Sequence, residues 1–195
     1  MRRLPTGMRE KVLAAAELFA EHGLDATKME DVAAATGVPK ATLYYHFEGK
    51  EDILAFLFNE ILDEVGRAMA AAVQAEGTAA ERLRAAIVAH LRVFVEFPAA
   101  SRALQFDLGR AARIPHIDER IEAAFRRPVR RLLDEGADDG SLRAVEHPRL
   151  VAIAILGAVT TVGINAITIG PRGGGRSLDE IADVVIDLVL RGVAT

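Results

Sequence analysis

Cysteine is absent from the 195 residues, which excludes disulfides, thiolate metal sites and a cysteine nucleophile, and suits a reducing cytoplasm. Tryptophan is absent too, and tyrosine occurs only twice, as the neighbours Tyr44 and Tyr45. Lysine is confined to Lys11, Lys28, Lys40 and Lys50, so the chain beyond residue 50 draws its positive charge from arginine alone. Alternating apolar and polar runs are scarce; the β-branched residues fall in helix-period patterns, which favours an all-α protein. There is no Gly-x-Ser-x-Gly elbow and no phosphate-cradling glycine loop. His22, His90, His116 and His147 form no pair at metal-ligand spacing. A helical enzyme, a metal site and a bound cofactor therefore have nothing specific in their favour.

The charge is not that of a strongly basic protein: the formal net charge is −4. Residues 1–50 carry seven Lys/Arg and seven Asp/Glu, a balance of zero. Any affinity for nucleic acid must then come from cations clustered on one face. The start is basic at Arg2 and Arg3, but Glu10, Lys11 and Glu17 follow, which is not the uncharged core of a secretory signal.

What is present reads as about nine helices. Val12, Ala15, Ala16 and Phe19 make one apolar stripe on a first helix that Gly23 ends. Thr27 with Glu30 has the spacing of a capping box for a short second helix, and Gly37 ends that one. Pro39 opens a third, running to about His46. A fourth begins near Lys50 and carries Leu54, Leu57, Phe58, Ile61 and Val65. Further boxes at Thr78 with Glu81 and Ser177 with Glu180 open later helices. Pro128 is expected to kink or break a helix running from Ile117 to Glu135. Gly136 to Gly140 reads as a turn, and a helix is expected over 148–169.

The second and third helices are too short to bury much alone. They make sense as a helix-turn-helix packed on the first helix through Val32, Ala33, Val38, Leu43 and Phe47. Leu43 and Phe47 are i and i+4 and share one face, which leaves Lys40, Ala41, Tyr44 and Tyr45 on the others. That outward set suits DNA: lysines neutralise phosphates, tyrosine hydroxyls reach phosphate oxygens, and small Ala41 and Thr42 permit close approach to base edges. On composition and spacing alone, a helical hairpin with a half-buried tyrosine pair fits equally well.

The local sequence adds a further argument. Ala26-Thr27, Glu30-Asp31-Val32-Ala33-Ala34-Ala35-Thr36-Gly37-Val38, Lys40-Ala41-Thr42-Leu43-Tyr44-Tyr45-His46-Phe47 and Lys50-Glu51-Asp52-Ile53-Leu54 closely resemble the DNA-binding domain of the TetR family of repressors. The resemblance is strong over about residues 8–60; beyond them it is one of helical layout and length. It implies an all-α fold, with an N-terminal helix-turn-helix domain over 1–50 and a larger ligand-binding and dimerisation domain over 51–195. It implies that Thr27 and Lys28 touch backbone phosphate and that Pro39, Lys40, Ala41 and Thr42 open the recognition helix over the bases. Tyr44, Tyr45 and His46 would hold phosphate or base edges, and Lys50 would grip phosphate. The chain departs from the family pattern at Pro39 and Gly49, where serine is common, and at Ala41, where glycine is common.

Two features beyond the resemblance complete the expectations. Leu150 to Ile169 is an uncharged stretch of membrane-spanning length, diluted by Thr160, Thr161, Asn165 and Thr168; it reads as a helix buried on several sides, not a membrane span. The last helix is apolar on more than one face, at Ile181, Val184, Val185, Ile186, Leu188, Val189 and Leu190. Two such helices read as a homodimer seam, where TetR-like proteins build a four-helix interface. Double-stranded palindromic operator DNA is the expected partner, and the cytoplasm the expected location. Isolated polar groups among apolar neighbours, His90, Gln105, Thr161 and Asn165, with walls including Phe94, Phe106 and Phe125, would orient a small, largely apolar effector in such a ligand domain. Each of these residues taken singly also reads as an ordinary packing group.

Overall fold

The computed structural model of the protein describes residues 4–106, 116–169 and 177–193. Among them every regular element is helical. In chain order these are α1 (Thr6–Leu13), α2 (Ala15–Ala26), α3 (Met29–Thr36), α4 (Lys40–His46), α5 (Lys50–Val73), α6 (Ala79–Glu96), α7 (Pro98–Phe106), α8 (Ile117–Ile121), a π-helical turn (Glu122–Arg126), α9 (Arg127–Asp139), α10 (Pro148–Ile169) and α11 (Leu178–Val193). Ala14, between α1 and α2, keeps helical dihedrals, and α8, the π turn and α9 are also continuous. Counted as rods, the segments give the nine expected.

Two compact units make up the chain: Met1–Ile61 with Ala99–Ile117, and Leu62–Pro98 with Asp118–Thr195. The division expected from the motifs lies at residue 50; by contacts, the first turns of α5 belong with the N-terminal unit.

In the first unit α1 and α2 pack on α3, and α3 on α4. Val12, Phe19, Val32, Leu43 and Phe47 are all within 1% of full burial. Each such side chain contributes roughly 1.5–3 kcal/mol, enough to hold helices too short to stand alone. Phe47 meets Phe56 of α5 edge-on at 6.0 Å. Arg102 of α7 pairs with Glu17 of α2 at 2.7 Å. The cap of α3 differs from the expected register by one residue. Lys28 is the N-cap, and its backbone N–H donates to the Asp31 carboxylate at 3.0 Å. Thr27 points inward, where its hydroxyl donates to the Gly23 carbonyl at 2.7 Å. Gly37 closes α3 in the left-handed region (φ 63°), which glycine adopts without steric cost.

In the second unit α6 packs against α9, α10 and α11. Leu83, Ile87, Leu91, Val129, Leu132, Leu133, Val159 and Val185 fill the space between them. The start of α6 is capped twice. Thr78 and Glu81 form the expected box: the Glu81 carboxylate accepts the Thr78 N–H at 2.8 Å, and the Thr78 hydroxyl accepts the Glu81 N–H at 3.3 Å. Asp139 and Ser141, distant in sequence, accept the Ala79 and Ala80 N–H groups at 2.8 and 3.1 Å. Ser177 and Glu180 cap α11 as expected, at 2.7 and 3.2 Å.

Two local expectations are corrected. The turn after α9 begins at Gly140 (φ 75°), not Gly136; Gly136 is helical and buried beneath Leu142, whose N–H donates to the Gly136 carbonyl at 2.9 Å. Pro128 neither breaks nor ends its rod. It sits in the first turn of α9, directly after the π turn, so its missing N–H is absorbed by the change of helical register.

The uncharged helix is also less enclosed than expected. By length and composition Pro148–Ala166 could cross a membrane, and 28% of that window is buried. Ala152, Ile155, Val159 and Ile164 face the unit's core. Leu150 and Ile153 lie on the other side, 62% and 40% exposed. The i, i+3, i+7 spacing covers one face only, and the core is wide enough for just that face.

Candidate functional site

Pro39, Lys40, Ala41, Thr42, Tyr44 and Tyr45 are all exposed, while Leu43 and Phe47 between them are sealed in the core. The two tyrosines are 49% and 64% exposed. Large aromatic side chains left in water on a short helix next to a lysine are unusual for a surface without a partner. The half-buried-pair alternative does not apply to them. The Lys40 ammonium pairs with the Glu30 carboxylate of α3 and lies 5.7 Å from the Tyr44 ring centroid. Its pKa is raised, first by the hydrogen bond to Glu30, and that of Glu30 is lowered by the same bond.

The other expected contacts are placed differently. Lys28 is exposed at the N-cap of α3. Thr27 is 1% exposed and presents no hydroxyl to the surface. His46 is half-buried, its ring edge-on to Tyr45 at 5.0 Å and its Nδ1 sealed without a hydrogen-bond partner. Lys50 is half-buried; its ammonium donates to the backbone carbonyls of Asp25 (3.1 Å) and Thr27 (2.9 Å). Lys11 is the residue that sequence reasoning missed. With Pro5, Met8, Val38, Pro39, Thr42 and His46 it lines a groove of about 300 Å³ between the start of α1 and the helix-turn-helix. It lies off the apolar stripe that defined the first helix, so its position beside Thr42 was not visible in one helix's periodicity.

Of the expected effector-binding residues, three come together in the second unit. The His90 ring stacks on Phe94 at 5.1 Å and meets Phe125, in the π turn, at 4.8 Å. His90 is 4% exposed and its Nδ1 has no hydrogen-bond partner. Burial pushes its pKa down to about 4, so the imidazole is neutral at pH 7. Gly163 of α10 lies against Phe94: a Cβ there would come 2.5 Å from the Phe94 ring. Thr161 and Asn165 do not join this cluster. Each is two residues, hence about 200°, round the helix from Gly163, and both are exposed. The Asn165 amide donates to the Thr161 carbonyl at 2.8 Å. The side chains of Gln105 and Phe106 lie outside the described residues.

Val185, expected at a subunit seam, is 1% exposed and belongs to the core of its own subunit; Val184 and Leu188, 58% and 67% exposed, are the outward residues of α11. Among the described residues no group of three or more His, Asp or Glu could hold a metal ion.

A buried-backed helix-turn-helix with a cationic, aromatic recognition helix, carried on an all-helical chain, defines a DNA-binding regulator. The model for bacterial regulatory proteins of the tetR family matches residues 12–56, and that for the tetracyclin repressor-like C-terminal domain matches residues 76–164. The chain belongs to the TetR family of transcriptional regulators. It is 28% identical to the HTH-type transcriptional repressor KstR2 of Rhodococcus jostii, over 97% of this chain and 93% of that one. It is 26% identical to the fatty acid metabolism regulator protein of Bacillus subtilis, over 92% of each. The solved TetR family regulator PfmR of Thermus thermophilus superposes with a TM-score of 0.78 at 27% identity, covering 93% of this chain and 97% of that one.

Proposed function

We propose that this chain is a cytoplasmic, ligand-responsive repressor that binds palindromic operator DNA as a homodimer. The observation that carries the DNA reading is the outward set on α4, Lys40, Ala41, Thr42, Tyr44 and Tyr45, held there by the burial of Leu43 and Phe47. In this reading Lys28 and Lys40 neutralise phosphates, and Pro39, Ala41 and Thr42 approach base edges. The tyrosine hydroxyls bond phosphate oxygens. Thr27 and His46 support these contacts from within. Lys50 spends two of its three protons on carbonyls and offers the third to a phosphate. Residues 1–50 supply this function and 51–195 supply dimerisation and effector binding.

The homodimer forms through the last two helices. Leu150 and Ile153 of α10, and Val184 and Leu188 of α11, are large apolar groups left in water within one subunit, beside a groove of about 560 Å³ lined by Arg84, Asp183 and Val184. Such faces are otherwise rare on soluble chains, and a protein seam accounts for the uncharged helix without a membrane. The effector is small and largely apolar, and His90, Phe94 and Phe125 form one wall of its site: two aromatic rings and one neutral, unpartnered nitrogen. Its binding releases operator only by favouring the form that does not bind DNA.

The test is selection of bound sequences from a random duplex library. The expected product is a near-palindrome with half-sites about 34–36 Å apart or a multiple of that. Recovery of no preferred sequence, or of an asymmetric one, defeats the reading.

A further inference from the structure

The ion pair between Glu30 and Lys40 lies on the face that meets DNA, and the mechanism above uses only one of its partners. Lys40 is the first residue of α4 and Glu30 the second of α3, so the helix-turn-helix geometry itself brings the two together. The pair is open to water, with side-chain exposures of 45% for Lys40 and 63% for Glu30. The carboxylate is also held ionised by its own backbone N–H at the start of α3 and by the charge of Lys28. A phosphate oxygen that reaches Lys40 must therefore take the place of a carboxylate that is already there.

We infer that Glu30 competes with DNA for Lys40 and so lowers sequence-independent binding; it is a specificity-determining residue rather than a scaffold ion pair. This rests on the reading of Lys40 as a phosphate contact. An exposed pair adds little to stability, so its exchange is cheap for any duplex that supplies enough other contacts. A duplex offering only phosphates lacks those contacts. The exact charge balance of residues 1–50, seven against seven, is the same principle at the scale of the domain. Without Glu30, Lys40 would meet every phosphate uncompensated and would displace one more counterion on binding.

The experiment measures binding of the full-length protein to a labelled duplex of scrambled sequence by fluorescence anisotropy, over a series of potassium chloride concentrations. Wild type, Glu30→Gln, Lys40→Gln and the double variant are compared, with far-ultraviolet circular dichroism confirming unchanged helix content. Glu30→Gln is expected to tighten binding about two- to five-fold for each recognition helix engaged and to steepen the salt dependence by about one unit of slope. The gain is expected to vanish in the Lys40→Gln background. An unchanged Glu30→Gln, or a gain of the same size without Lys40, overturns the inference, the second because Glu30 would then act by plain repulsion. If Lys40→Gln itself leaves affinity and slope unaltered, the phosphate-contact reading falls and the inference with it. If Lys40→Gln weakens binding while Glu30→Gln does nothing, only the inference falls.

Discussion

The Lys50 ammonium donates to the Thr27 carbonyl at 2.9 Å, bridging the first turn of α5 to the residue just before α3. A second bond, to Asp25, satisfies another carbonyl at the end of α2, where cations are favoured. Lys50 thus holds the entry to the helix-turn-helix as well as facing its surface. Lys50→Met is expected to lose roughly 1–3 kcal/mol of stability in urea unfolding and to weaken duplex binding at the same time. A variant that loses binding with unchanged stability would show that Lys50 acts on phosphate alone.

Gly163 has no room for a methyl group. Its Cβ would lie 2.5 Å from Cδ2 and 2.9 Å from Cε2 of Phe94, whose ring is itself pinned by His90. Gly163→Ala is expected to destabilise the protein by about 1–3 kcal/mol. Phe94→Leu in the same chain should return part of that loss, because the two changes share one space. Denaturant midpoints that simply add for the double variant would contradict the contact.

His90 makes stability fall with acid. Its folded pKa of about 4 is below the ordinary value of 6.5, so the unfolded chain binds the extra proton between those limits. The contribution is full above pH 6.5 and is lost as the pH falls towards 4, by roughly 3 kcal/mol at most. His90→Leu should flatten this part of the profile relative to wild type, as read from urea midpoints over that range. Parallel profiles would mean that the imidazole is not desolvated.

The two neighbouring residues Val184 and Val185 should behave oppositely. Val185→Arg places a charge in the subunit's core and is expected to unfold the second unit. Val184→Arg and Leu188→Arg alter exposed positions, so helix content should be retained while the dimer dissociates. Sedimentation velocity at micromolar concentration checks this, and a Leu188→Arg protein that remains dimeric removes α11 from the seam.

Much of this architecture could be read from residue order. Helix boundaries marked by local chemistry, such as Thr78 with Glu81 and Ser177 with Glu180, were visible because both partners of each cap lie within one turn. The outward set on α4 was visible because Leu43 and Phe47 fix the buried side by spacing alone. What escaped depends on neighbours distant in sequence. Thr27 and Lys28 are both plausible caps, and only burial of the Thr27 side chain decides between them. The Asp139 and Ser141 caps act across some sixty residues on α6. Thr161 and Asn165 looked like polar groups in a pocket because an apolar helix does not declare which face meets its own core.

The π turn at Glu122–Arg126 is equivalent to one residue inserted into an otherwise α-helical rod. One residue is about 100° of helical phase. Removing any single residue from this segment would let the rod return to α register and would turn α9 by that angle about its own axis. Val129, Leu132 and Leu133 would swing away from α6 together, and Arg130 and Arg131 would be carried towards the space they leave. Pro128, lacking an N–H and crowding the carbonyl four residues back, would resist that return at its own position. Length in this segment is therefore under tighter constraint than side-chain identity: substitutions at its exposed positions are tolerable, whereas a frame-preserving single-codon deletion is not.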